Sequence, residues 1–155
     1  LFAGGFLGGV LFVLSYYVQT ETLTEEALYA GIPSFLLVSS ILAVNNTCDR
    51  DGDGGANRHT FAVIFGRRAS ETLVYVLATI AHVVLFASAM GDGGFPTATA
   101  VAALLSYSFG IVEFMRMHRR GYSHETKGVS MQAISRAFVV FSATTLTSLL
   151  VGIAS

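Results

Sequence analysis

The stretch ALYAGIPSFLLVSSILAV (27–44) runs without a break into NNTCDRDGD (45–53), and the junction between the two decides how the chain is read. Eighteen successive uncharged residues come close to the roughly 20 that a helix needs to cross the hydrocarbon of a bilayer. Two amides and three carboxylates follow at once: Asn45, Asn46, Asp49, Asp51 and Asp53. Such groups are costly at the mouth of a membrane span, and their default meaning there is a substrate or ion site.

Four more segments share the apolar character of 27–44, namely 2–18, 71–90, 97–115 and 133–154. The expected fold is therefore all-α, an integral membrane bundle of five transmembrane helices forming a single membrane domain over 1–155. Composition agrees. The chain is 53% hydrophobic and 12% charged, whereas a soluble domain carries about a quarter charged residues. A soluble helical protein would also show a polar face along most of each helix, and 10–14, 35–38 and 83–87 show none. With a net charge of −1 and no Lys/Arg block, nothing points to a nucleic-acid partner. Cys48 is the only cysteine, so the chain can form no internal disulfide. Leu1 lies inside an apolar run with no basic segment before it, which argues against a signal peptide. The chain is expected to begin within a longer protein, as its C-terminal part.

Charge sets the expected orientation. All nine Lys and Arg fall in or beside the two long connections: Arg50, Arg58, Arg67 and Arg68 in 45–70, and Arg116, Arg119, Arg120, Lys127 and Arg136 around 116–132. Glu21, Glu25, Glu26 and Asp92 fall on the other side. The positive-inside rule then places both long connections in the cytoplasm of a plasma-membrane protein. The same arginines read as topology anchors and contacts for anionic membrane lipid.

If the helix continues past Val44, Asn46, Asp49 and Asp53 fall within about a 60° arc while Asp51 points elsewhere. Two carboxylates and an amide on one stripe suit magnesium, a hard cation that takes oxygen ligands and often bridges to a phosphate. Gly52, Gly54 and Gly55 weaken that helix, so a break after Asp51 is expected. A calcium loop would share Asp49, Asp51, Asp53 and Gly54, but its closing bidentate Glu would stand where Thr60 does. A solvated turn explains the glycines and leaves the two asparagines unexplained. Elsewhere, Glu113 is expected to pair with Arg116 one turn on, and His82 to pack between helices. Tyr16 and Tyr17 suit an aromatic belt. The pairs Gly4-Gly5 and Gly8-Gly9 suit close helix packing.

The pattern Asn45-Asn46-x-x-Asp49-x-x-x-Asp53, followed by Arg58, Thr60, Ala62-Val63 and Gly66-Arg67, resembles the second aspartate-rich motif of the UbiA family of intramembrane prenyltransferases. Upstream, Tyr16 to Thr20, Glu26-Ala27-Leu28 and Ile32-Pro33 are similar to the branch that prenylates 1,4-dihydroxy-2-naphthoate on the way to menaquinone. The similarity runs over about 14–69, and the five spans correspond to the last five of the nine helices that this resemblance implies. It further implies transfer of a polyprenyl group from polyprenyl diphosphate to an aromatic acceptor. Asp49 and Asp53 would be the catalytic pair, holding Mg2+ through the diphosphate, with Asn46 and Arg58 as diphosphate-binding residues. Two departures stand out. Asn57 occupies a position where the family often has Gly, and no second aspartate-rich cluster exists in this chain, so the first motif is expected in a missing N-terminal half. A different aromatic acceptor such as 4-hydroxybenzoate or haem is one alternative. A non-catalytic membrane module or divalent-cation transporter fragment is the other.

Overall fold

The computed structural model describes residues 2–91 and 96–154. Leu1, Asp92 and the side chain of Glu26, all used above, lie outside what is described. Among the described residues there is no strand. The first rod joins α1 (Phe2–Gly4), a π-helical stretch (Gly5–Val10) and α2 (Leu11–Thr20). Then come α3 (Glu25–Cys48), the short α4 (Arg50–Gly55) and α5 (Phe61–Phe65), and the long α6 (Arg67–Met90), α7 (Ala98–Arg120) and α8 (Lys127–Ala154). Four helices are long and apolar enough to cross a membrane, over 27–48, 67–90, 98–120 and 127–151. The first rod, expected as a fifth span, is a shorter apolar helix over 5–20.

The long helices outrun the expected spans at their charged ends. α6 begins at Arg67 rather than residue 71, α7 runs on to Arg120 rather than 115, and α8 starts at Lys127 rather than 133. Hydropathy marks the apolar thickness, while the helix stops are set by capping. Gly121 takes a left-handed conformation (φ 76°), and its N–H donates to the carbonyls of Met117 and His118. His118, Arg119 and Arg120 in that last turn complement the negative end of the helix dipole. At the opposite end of the molecule the Thr24 hydroxyl accepts the Ala27 N–H at 3.2 Å and starts α3.

The four long helices form a ring in which α3 packs on α6, α6 on α7, α7 on α8 and α8 back on α3. In lipid, apolar burial drives helices together only weakly, so close approach and interhelical hydrogen bonds decide the packing. The contact faces accordingly carry small and hydroxylic residues among the larger apolar side chains of the core. Ser40 donates to the Val74 carbonyl at 3.0 Å, and Thr47 and Ser70 share a hydrogen bond at 2.6 Å, both joining α3 to α6. Thr79 meets Tyr107 at 3.0 Å between α6 and α7. Thr99 meets Ser148 at 3.0 Å between α7 and α8. His82 is buried between the rings of Tyr107 and Phe141, with its Nδ1 on the Ala78 carbonyl, the packing role expected for it.

The first rod leans on α3 through its glycines. A Cβ on Gly4 would strike Ser39, and one on Gly8 would lie 2.7 Å from the Ser34 carbonyl oxygen and 2.8 Å from the Phe35 Cα. Gly9 has room, with the Phe35 Cβ at 3.6 Å. Gly8→Ala should therefore destabilise the protein by about 1–3 kcal/mol through overpacking, whereas Gly9→Ala should be neutral or mildly stabilising through helix propensity. Thermal unfolding of the two variants in detergent checks this, and an equal response from both would contradict the close approach described.

Candidate functional site

α3 delivers the polar cluster. Its last turn carries Asn45 and Asn46, and the helix gives way at Asp49 (φ −88°, ψ 4°) to α4. The Asp53 N–H still reaches the Asp49 carbonyl at 2.8 Å, so α4 follows α3 across the joint with helical spacing. The break expected after Asp51 thus falls at Asp49 instead, and Gly52, Gly54 and Gly55 lie within α4. Helical propensity is low there, but the turn is fastened at its end. The Arg58 N–H donates to the Asp53 carbonyl at 2.8 Å, and Asn57 turns the chain with a left-handed φ of 55°. Gly and Asn reach that conformation at least cost, which accounts for an Asn where the resemblance expects Gly. A helix through 50–55 is also incompatible with a calcium loop, and Thr60 serves instead as the cap of α5.

Each carboxylate of the cluster has its own cation. Asp53 is 7% exposed and faces the Arg58 Nη1 at 3.2 Å, while the Arg58 side chain stays largely open to the surroundings. Asp51 points the other way, as expected, to Arg50 at 3.0 Å and Arg67 at 2.9 Å. Arg50 also donates from Nε to the Ala62 carbonyl, which braces α4 against α5. Asp49 meets residues from the far end of the chain: the Lys127 Nζ at 2.5 Å and the His124 Nδ1 at 3.4 Å. The Lys127 ammonium holds the Asp49 carboxyl below the usual carboxylate range, with burial opposing and His124 assisting. Asn45 and Asn46 are half-buried, and neither amide makes a side-chain hydrogen bond among the described residues.

Sequence reasoning placed Asp49, Asp53, Asn46 and Arg58 together and missed Lys127 and His124. It counted Lys127 only as a topology charge. It also missed a polar chain at the same end, in which Tyr122 donates to Tyr75 at 3.1 Å and Tyr75 to Glu71 at 2.8 Å, with the His118 Nδ1 2.6 Å from Glu71. Burial pushes the Tyr122 hydroxyl up to about 12. Glu113, 1% exposed, does pair with Arg116 at 2.8 Å and is also held by Arg136 at 2.8 Å, so that it ties α7 to α8.

No group of three or more His, Cys, Asp or Glu side chains among the described residues is arranged to hold a metal ion. The donor set of Asp49, Asp53 and the two open amides is all oxygen. It fits magnesium where water and a bound phosphate supply much of the coordination shell.

A model of the UbiA prenyltransferase family matches residues 1–129. The chain belongs to the UbiA prenyltransferase family. The match extends well past 14–69 and takes in the α7–α8 connection that carries His124 and Lys127. Among curated relatives, a 1,4-dihydroxy-2-naphthoate octaprenyltransferase of Bacillus subtilis (strain 168) is 29% identical over 83 residues, 54% of this chain and 27% of the relative. One of the same name from Haemophilus influenzae is 30% identical over 76 residues, 49% of this chain and 25% of the relative. The aligned part is thus about a quarter of each relative's length. No solved structure matches the chain. As a UbiA-family member, the chain is part of an integral membrane helical fold of prenyltransferase type.

The depressed carboxyl of Asp49 has a consequence for pH dependence. A carboxylate with a lowered folded-state pKa contributes stability that is complete above its ordinary pKa and is lost as pH falls through the folded value. In metal-free buffer the tie between Asp49 and Lys127 should therefore hold at pH 5 and fail only below about pH 4. Unfolding followed against pH checks this, and Asp49→Asn should remove that acid limb.

Proposed function

We propose that the protein to which this chain belongs transfers a polyprenyl group from its diphosphate to an aromatic acceptor. The acceptor is 1,4-dihydroxy-2-naphthoate, which makes this a step toward menaquinone. The observation that carries the reading is the carboxylate pair Asp49 and Asp53 with open amides beside it, at the charged end of an apolar bundle. Family membership supports the reaction class. The names of the two relatives support the acceptor.

The chemistry asks for two surroundings at once. Ionising an allylic carbon–oxygen bond leaves negative charge on the diphosphate and an electron-poor carbon that water must not reach. Magnesium, when bound, supplies Lewis-acid stabilisation of that leaving group. Asp49 and Asp53 would hold the ion on the protein side, and Arg58 would donate a charge-assisted hydrogen bond to a phosphate oxygen from its open guanidinium. The Asn46 amide would orient a metal-bound water or a phosphate oxygen.

The apolar part of the substrate has a place as well. An open apolar groove of about 560 Å³ lies between the first rod and α3, lined by Gly5, Gly9, Val13, Ile32 and Phe35 and reaching Leu23 at the end away from the carboxylates. It sits not at the carboxylates but along the apolar body of the bundle, which suits a prenyl tail whose head is held at the charged end. In this reading that charged end faces the cytoplasm and the bundle spans the plasma membrane. A cation-transport reading wants an open carboxylate within a span, and Glu113 is already bridged by two arginines. The chain carries one side of the clamp. A second aspartate-rich cluster, from outside these 155 residues, would complete it, and the chain alone is expected to be inactive.

In the full-length protein, Asp49→Asn and Asp53→Asn should each lower magnesium-dependent prenyl transfer by about 100-fold or more. Membrane insertion should be unchanged. Product formation from polyprenyl diphosphate and the naphthoate, measured beside protein recovered in the membrane fraction, is the test. Turnover at the unsubstituted rate by either variant would sink the assignment.

A further inference from the structure

The one strong contact that the fold adds to the carboxylate pair comes from the connection between α7 and α8. Lys127 and Asp49 lie 78 residues apart in sequence and 2.5 Å apart in space. His124 reaches the other Asp49 oxygen from the same connection. That connection is built to hold its place. Gly121 ends α7 with a left-handed turn. Tyr122 is buried, with its hydroxyl on Tyr75. The Thr126 hydroxyl accepts the Ser123 N–H at 2.9 Å and donates to the Gly121 carbonyl at 2.9 Å. Lys127 is therefore delivered to Asp49 by a braced turn.

Its position is unfavourable on local grounds. Lys127 is the first residue of α8, and the first turn of that helix has no acidic residue. A cation at a helix N-terminus opposes the helix dipole. A partly exposed ion pair returns little stability for the side chains it immobilises. The Lys127 side chain is 32% exposed and that of His124 is 89% exposed, so both can be reached from outside the bundle. Sites where a local preference is overridden are where functional residues are expected.

We infer that Lys127 and His124 are diphosphate-binding residues, which hold Asp49 in the arrangement described and would pass to phosphate oxygens once Asp49 holds a metal ion. This rests on the prenyl diphosphate reading above. Lysine suits the exchange. Its ammonium is a compact charge with three rotatable donors, so it can release a carboxylate and meet a phosphate without moving its backbone. Arg58 stands in the same relation to Asp53. The cluster thus holds a cation for each of the two carboxylates.

The test uses the full-length protein and farnesyl thiolodiphosphate with magnesium, an analogue whose carbon–sulfur bond resists ionisation, so that binding is read without turnover. Lys127→Met should weaken binding about tenfold or more, as for loss of a hydrogen bond between charged groups. Lys127→Arg should recover most of it. His124→Asn, at an exposed position where folding is not at stake, should weaken binding about threefold. In turnover, the KM for prenyl diphosphate should rise while that for the aromatic acceptor stays put. Unchanged analogue affinity in both Lys127→Met and His124→Asn would overturn the inference and leave the wider reading standing. Failure of the unsubstituted protein to bind the analogue would overturn that reading and the inference with it.

Discussion

The structure depends on how closely α3 can be approached. Inside a bilayer, two apolar helices gain little by hiding from lipid, because lipid is as apolar as they are. What holds them is contact at short range, and α3 is the helix that the first rod, α6 and α8 all touch. Gly4 and Gly8 bring the rod onto its backbone. Ser40 and Thr47 bind it to α6. The axis of α3 is fixed by these neighbours, and the carboxylates ride on its end.

The charged end follows a second constraint: among the described residues, every carboxylate placed there except the exposed Glu125 meets a cation or donor. Asp49, Asp51, Asp53, Glu71 and Glu113 each meet at least one, and Glu113 meets two arginines from different helices. Several of these pairs join elements far apart in the chain, so the charges that anchor topology also fasten one helix to the next. The same arrangement leaves Asp49 and Asp53 neutralised by groups able to let go. Glu113 is itself buried and is held from two helices, so it serves to tie them together. Asp49 is itself partly exposed, so it is held by Lys127 and reachable at once.

The elements readable from sequence were those set by local physics. Apolar length marked the four spanning helices, and helical spacing set Asp51 apart, where it meets Arg50 and Arg67. The glycine pairs near the start were readable as packing residues, because only a missing Cβ explains such spacing in an apolar rod. Helix ends were misplaced, because hydropathy reports membrane thickness while Gly121 and the arginines before it report where hydrogen bonding stops. The glycines of α4 misled in the same manner: propensity favoured a break after Asp51, and the fastening of Arg58 to Asp53 outweighed it. Lys127 and His124 were hidden for a different reason. Their meaning comes from the ring of helices, which folds α8 back beside the end of α3, and no local pattern in 121–127 records that.

The two ends of the ring are fastened by different forces. At the charged end the helices are joined by directional ion pairs and hydrogen bonds, among them Glu113 to Arg136, Asp49 to Lys127 and Thr47 to Ser70. Toward the other end the described polar tie between long helices is Thr99 to Ser148, and the remainder is side-chain contact. Directional bonds resist sliding and twisting, whereas apolar surfaces in lipid can shift past one another at small cost. The bundle is therefore stiff at one end and compliant at the other, like a tuning fork held by its stem. Under the proposed function, a charged head group would meet a fixed frame, while the space beside the apolar prongs would adjust to the tail.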